Sequence, residues 1–399
     1  MEFYASYLVL PGPSLLVMSA WVTAAWLADV WDRFPHLAIT SPEKRCGKTL
    51  LLDLLNVTVP RPRYTTNISP AALYRVVQLE KPTLLMDECQ SISRRGSEAS
   101  EVIREILNAG IGRNARVTRC GGANFDRIEE FSVYGPKVFA MIGEPDSVLA
   151  DRCLPLPIAR KRRGDRGRVQ RYRSRQVEAA GKALHDSLEA WAAEHKEEVA
   201  RVYDSLEPFD IDNDRMADLL TPLQAVLTVL GGGRPLEVLL QYAKGLDERD
   251  REQEMQSPGV RLLAACRELF PLGSFLPTET LLNCLIARRD EPWYRWNKGE
   301  PITADKLAGL LRPYNIRPVL NKKRTGRGYY ADDFKEAWTR YLAPAYTSES
   351  PSNSSHSSNP SSYGGAPANA GPRHTTPTSR GATSDLAAML AAQRNGDFR

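Results

Sequence analysis

Paired cysteines and clustered histidines are missing from this chain. Its six cysteines (Cys46, Cys89, Cys120, Cys153, Cys266, Cys284) are scattered with no CxxC spacing, and its five histidines do not gather near them. Metal-finger folds and disulfide-stapled scaffolds are therefore excluded, and a reducing cytoplasm is the expected compartment. A membrane span is missing as well. The uncharged run from Ala5 to Ala28 is broken by Pro11-Gly12-Pro13, and what remains from Ser14 is short for a bilayer. No positive region precedes it and no cleavage pattern follows, which argues against a signal peptide. The expectation is a helix over Ser14–Trp31, buried against a sheet. Strong net charge is lacking too, at +5 over 399 residues. That charge is unevenly placed, because Arg160–Arg175 holds nine Lys/Arg against one Asp. Such a stretch, beginning Arg160-Lys161-Arg162-Arg163, points to a local polyanion contact rather than a generally sticky surface.

What the chain does have is a loop with chemical consequences. The apolar run His36-Leu-Ala-Ile-Thr40 leads into Ser41-Pro-Glu-Lys-Arg-Cys-Gly-Lys-Thr-Leu50, and Leu50-Leu-Leu-Asp-Leu-Leu55 reads as a helix. Strand, loop, Gly-Lys-Thr and helix is the context of a phosphate-binding P-loop. In such a loop the backbone of Glu43, Lys44, Arg45, Cys46, Gly47 and Leu50, with the helix N-terminus, faces the phosphates of ATP. Lys48 reaches the β- and γ-phosphates, and the Thr49 hydroxyl holds Mg²⁺. The first glycine of the pattern is replaced by Pro42, which has a fixed φ and no N–H, so the start of the loop must bend differently.

Some forty residues on, Pro82-Thr-Leu-Leu-Met-Asp87-Glu88 reads as a short buried strand ending in two carboxylates. As a Walker B element, Asp87 would position the Mg²⁺ shell and Glu88 would polarise an attacking water. Read alone, it is a strand ending in a solvated acidic turn. The order and spacing of the two elements favour the paired reading. Cys46 and Cys89 flank these residues and receive no chemical role.

Four regions follow from the pattern. Residues 1–160 read as a P-loop ATPase core with a parallel sheet covered on both faces. Its strands are expected at His36–Thr40, Thr83–Asp87, Lys137–Ile142 and Cys153–Ala159. Its helices are expected at Thr49–Asn56, Ser69–Gln78 and Ala99–Asn108, with a hairpin over Ala115–Gly121 and Phe125–Phe131. Residues 161–255 read as a basic linker and a helical lid, with 3.6-residue periodicity over Ala179–Ala200 and Met216–Leu230. Residues 256–343 read as a winged-helix-like domain of three helices and a β-ribbon. Its third helix would enter a major groove, and Lys322, Lys323, Arg324 and Arg327 would sit on the wing against phosphates. The same domain could instead serve packing or protein contact. Residues 344–399 form a Ser/Pro/Asn-rich tail too poor in apolar residues to fold. In it, Ser384–Arg394 reads either as a partner-docking helix or as an unstructured end.

These residues resemble a known family of uncharacterised P-loop ATPases from phages, plasmids and integrated elements, often associated with primases. The resemblance rests on His36–Thr49, Asn67-Ile-Ser-Pro-Ala-Ala-Leu73, Thr83–Glu88, Leu107-Asn-Ala-Gly110, Tyr134-Gly-Pro-Lys137 and Leu149-Ala-Asp-Arg152. Pro301-Ile-Thr303, Leu307 to Leu311, and Gly328-Tyr329 with Ala337 to Leu342 extend it to most of residues 14–342. The family is similar to superfamily III and AAA+ replicative helicases, and Pro42 is usual there. The resemblance implies an ATP- and Mg²⁺-dependent, DNA-associated ATPase in a homo-oligomeric ring, with a separate primase or another replication protein as the partner and no membrane. It implies that Arg152 is an arginine finger acting in a neighbouring subunit, unless a local acid such as Asp151 holds it. It implies that Arg215 in Asp214-Arg-Met-Ala is a sensor arginine from the lid. A polar sensor expected near Ile142-Gly143 is absent, with Asn108 a possible substitute. Two functions remain open: a helicase-like motor, and an ATP-gated switch that binds an origin or recruits a partner.

Overall fold

The computed structural model describes residues 1–65, 69–89, 98–121, 127–162, 164, 167–271, 273–322 and 326–342. Arg163, Lys323, Arg324, Asn67 and the tail from 344 lie outside the described residues. Met1–Ala343 forms one compact unit.

The chain begins with α1 (Glu2–Ala5) and α2 (Gly12–Ala25), then β1 (His36–Ser41), α3 (Lys48–Asn56), β2 (Pro62–Thr65), α4 (Pro70–Glu80) and β3 (Thr83–Met86). Next come α5 (Glu98–Ala109), the hairpin β4 (Arg116–Gly121) and β5 (Arg127–Ser132), β6 (Lys137–Ile142), α6 (Ser147–Ala150) and β7 (Cys153–Pro157). The main sheet has five strands in the order β2-β3-β6-β1-β7, all parallel. The fold is α/β. Alternation along the strands gives each face its own core. Leu37, Ile39, Leu85, Val138, Ala140, Leu154 and Leu156 pack with α2 and α3, whereas Ala38, Leu84, Met86, Phe139 and Met141 pack with α4 and α5.

α2 is a buried helix, as its uncharged composition requires, but it ends at Ala25 and not at Trp31. Two indoles explain the early stop. Trp31 Nε1 donates to the Ala24 carbonyl at 2.9 Å, and Trp26 Nε1 donates to the Thr58 carbonyl at 3.1 Å, so these rings turn the chain away from the helix axis. β7 ends two residues short of the expected Ala159. It carries Pro155 and Pro157 and pairs with β1 alone, the edge position in which a missing N–H is tolerated. β2 escaped the sequence pattern because Pro62 and Arg63 are exposed and no apolar alternation marks it. Ser69 caps α4 by accepting from the Ala72 N–H, with Pro70 in the first turn, as the Ser-Pro pair predicts.

Three helices follow: α7 (Ser174–Ser205), α8 (Asp214–Val229) and α9 (Arg234–Gln256). The 3.6-residue periodicity over Ala179–Ala200 and Met216–Leu230 falls on α7 and α8. All three add to the core on the α2/α3 face through Val177, Leu220, Leu223, Val226 and Leu239. The last region contains α10 (Pro258–Leu269), β8 (Phe275–Pro277), α11 (Thr278–Ala287), α12 (Ala304–Leu311), β9 (Val319–Leu320), β10 (Arg327–Tyr330) and α13 (Lys335–Tyr341). Its small antiparallel sheet has the order β8-β10-β9. β8 has only three residues, too few for a sequence pattern. Residue 160 lies between β7 and α7, and residue 255 lies in the last turn of α9, within a single compact unit.

No helix among the described residues is long and apolar enough to cross a membrane.

Candidate functional site

β1 delivers its loop to the carboxyl edge of the parallel sheet, where open α/β sheets bind ligands. Pro42, Glu43, Lys44 and Arg45 are exposed, and Cys46 is buried. Ser41 Oγ donates to the Glu43 carbonyl at 2.7 Å, a local turn that starts the loop without a glycine at position 42. Arg45 (φ 64°) and Gly47 (φ 97°) both adopt left-handed backbone, and Gly47 is the residue from which α3 begins. Lys48 Nζ donates to Ser41 Oγ at 2.6 Å and pairs with no carboxylate among the described residues, so its charge remains for an anion.

The decisive contact lies one residue on. Thr49 Oγ1 donates to Asp87 Oδ2 at 2.9 Å, so the first turn of α3 meets the end of β3. Asp87 Oδ1 accepts the Glu88 N–H at 2.8 Å. Glu88 is exposed and has φ 54°, a left-handed conformation that costs a non-glycine residue about 1–3 kcal/mol and collects at functional sites.

Two residues join this centre that the sequence analysis did not find. Tyr64, on β2, donates its hydroxyl to Asp87 Oδ2 at 3.2 Å. Burial raises its pKa, and the charges of Asp87, Asp53 and Glu88 raise it further. Asp53 lies one helical turn after Thr49, and burial, then the Asp87 charge, lifts its pKa. Its i+4 spacing from Thr49 was a legible signal; Tyr64 had none, because β2 was not recognised. Cys89 is buried, and its thiol is pushed up to about 12, first by burial and then by Asp87, which makes it a poor nucleophile.

The donor set suits a small hard cation: a hydroxyl and a carboxylate 2.9 Å apart at the end of an exposed helix N-terminus. An unpaired ammonium beside it suits a polyphosphate. Lys48, Thr49, Asp87 and Glu88 are thus brought together.

Arg152 and Arg215 are not brought to this edge. Arg152 immediately precedes β7, and its carbonyl accepts the His36 N–H at the start of β1. It therefore lies at the opposite sheet edge from Ser41, about 16 Å away for five strand residues. Its Nε donates to the Asn108 carbonyl at 3.1 Å and its Nη1 to the Val148 carbonyl, so Asp151 does not hold it. Asp151 instead pairs with Arg215. Both arginines line an open groove of about 1350 Å³ along the β7 edge, shared with Asp247, Arg249 and Arg340. Asn108 also lies at this far edge, which removes it as a sensor beside Ile142; there Gly143 donates its N–H to the Ser41 carbonyl.

Of the basic stretch, Arg160 reaches the loop. Arg160 Nη2 donates to the Lys44 carbonyl at 3.0 Å, and Lys161 Nζ donates to the Tyr7 carbonyl at 3.0 Å. Arg162 is exposed nearby in sequence. Lys322 and Arg327 are exposed on either side of the β9–β10 turn.

Residues 159–341 are similar to the family described as Protein of unknown function (DUF3631). That stretch covers the α7–α9 layer and the last region, not the loop at Lys48. No curated protein matches the chain. Among solved structures, the chain is similar to the A form apo structure of the NrS-1 C-terminal region, with 11% identity and a TM-score of 0.38 over 82% of this chain and 78% of that one. It is also similar to the Aeropyrum pernix ORC2 protein in ADPNP-ADP complexes, with 14% identity and a TM-score of 0.23 over 82% of this chain and 92% of that one. Likenesses this small carry no weight for function.

Proposed function

We propose that the chain is a DNA-associated, helicase-like ATPase of phage or mobile-element replication. The observation that carries this reading is the Thr49–Asp87 hydrogen bond, which joins a Gly-Lys-Thr helix start to an acidic strand end on one sheet edge. When bound, Mg²⁺·ATP would supply a polarised γ-phosphoryl group. Lys48 would bind the phosphates, Thr49 and Asp87 would orient the cation and its waters, and Glu88 would take up the proton of the attacking water. Arg152 cannot reach Lys48 of its own chain from the far sheet edge. In a ring of copies its place on the open β7 groove supports a role across the subunit junction, with Arg215 holding Asp151 beside it.

α10, α11 and α12 with the β8-β10-β9 sheet would form the winged helix, with Lys322 and Arg327 at the wing. Together with Arg160, Lys161 and Arg162 they supply cationic contacts for a phosphate backbone. α7–α9 would form the lid. Lys48→Ala tests the site: it should abolish ATP binding and hydrolysis while leaving the folded state intact. A Lys48→Ala protein that hydrolyses ATP like the wild type would sink the proposal.

A second reading, an ATP-gated origin-binding or partner-recruiting switch, draws on Gly143. No polar side chain ends β6 where a hydrolysis sensor would stand. Glu88→Gln separates the two, because a switch keeps normal DNA and partner binding when hydrolysis is blocked.

A further inference from the structure

Between α11 and α12 runs Arg288–Thr303, far longer than the three- or four-residue turn that usually joins two such helices. It is a built knob. A short 3-10 helix, Pro292–Arg295, drives Trp293 into the core at 0% exposure, and the Trp293 carbonyl accepts the Ile302 N–H at 2.8 Å. Arg261 pins its base through Glu291 at 2.6 Å.

The outer surface of the knob carries an unusual grouping. The guanidiniums of Arg289 and Arg295 lie 5.2 and 5.1 Å from the ring centroid of Tyr294. Trp296 leans on Trp293, with centroids 5.3 Å apart. Arg289, Tyr294, Arg295 and Trp296 border an open depression of about 400 Å³, large enough to seat a nucleobase and its sugar, with Asp290 also on its wall. Arg261 is neutralised by Glu291, but neither Arg289 nor Arg295 pairs with an acid among the described residues. Two like charges drawn to one ring repel each other, and an anion between them relieves that repulsion. Half-buried rings beside paired cations are what an unpaired nucleotide uses: a flat face to stack on and cations for its phosphate. Bases inside a duplex cannot offer that face.

We propose that Tyr294, Trp296, Arg289 and Arg295 form a binding site for an unpaired nucleotide of single-stranded nucleic acid, seated on the segment that follows α11. It deepens the DNA part of the reading above and is independent of the ATP site. The test is equilibrium binding of a fluorescent oligothymidylate to the full chain. Tyr294→Ala should weaken binding about tenfold, or about 1.4 kcal/mol, while Tyr294→Phe, which keeps the ring, should bind like the wild type. Arg289→Ala with Arg295→Ala should weaken binding and flatten its salt dependence by about one to two ions. Each variant is compared at matched melting temperature, and the exposed arginine pair keeps the test open should Tyr294→Ala not fold. Unchanged affinity in Tyr294→Ala or in the arginine pair overturns the site. So does an equal loss against a duplex, or competition by a mononucleotide or oligoglutamate as effective as the oligonucleotide. If the wild type binds no nucleic acid at all, it is the DNA reading as a whole that fails.

Discussion

Tyr64 and Asp87 are joined across neighbouring strands: the phenol donates to the carboxylate oxygen that also accepts Thr49. A carboxylate held from two sides is oriented before any cation arrives, and such outer partners commonly govern metal affinity. Tyr64→Phe removes one hydroxyl and no packing. It should weaken Mn²⁺ binding to the nucleotide complex about tenfold, read by electron paramagnetic resonance, with metal-free nucleotide binding unchanged. In an Asp87→Asn background the same substitution should add little, since the pair acts as a unit. Additive losses would mean that Tyr64 acts elsewhere.

Arg152 and Lys48 occupy opposite edges of one sheet. Arg152→Ala should keep ATP binding and lose hydrolysis by about a thousandfold. Mixing it with inactive Lys48→Ala protein should restore part of the activity, because mixed assemblies contain junctions with one intact Lys48 and one intact Arg152. No recovery on mixing would place Arg152 outside the chemistry.

His36 is sealed at 0% exposure, and burial with the nearby Lys137 charge holds its pKa down at about 3. The unfolded chain protonates this ring near pH 6.5. Between those values the unfolded state binds one more proton, so stability falls as pH drops from about 6.5 towards 3, by about 1.4 kcal/mol per pH unit from this group. Urea unfolding of His36→Gln should show a shallower acid slope than the wild type. Parallel slopes would assign the acid loss to other groups.

Gly181 lets α7 lie against the end of α3. A Cβ there would fall 2.8 Å from Val57 Cβ. Gly181→Ala should cost about 1–3 kcal/mol in urea unfolding through overpacking. Val57→Ala in the same chain should return part of it, and failure to do so would point to a different clash.

The parallel core was legible because its strands are apolar and its helices carry strong starts, such as Ser69-Pro70 and Gly47-Lys48. The loop and acidic strand end were legible as motifs. What stayed hidden depended on neighbours distant in sequence. Edge strand β2 is half-exposed, so its Tyr64 gave no sign of reaching Asp87. Arg152 could be picked out, but only the register His36 opposite Cys153 reveals which sheet edge it occupies. The α11–α12 segment carried no motif, and only the structure shows Trp293 sealed inside with Tyr294 half-buried beside two arginines.

Lys137 lies 1% exposed, with its amine donating to the Val133, Gly135 and Gly110 carbonyls, and burial draws its pKa down to about 7. Acylating reagents that mark surface lysines within seconds cannot touch it until the central strands part. Its labelling rate is therefore a built-in clock for opening of the sheet, readable by mass spectrometry on a single peptide and slowed by whatever ligand clamps those strands shut.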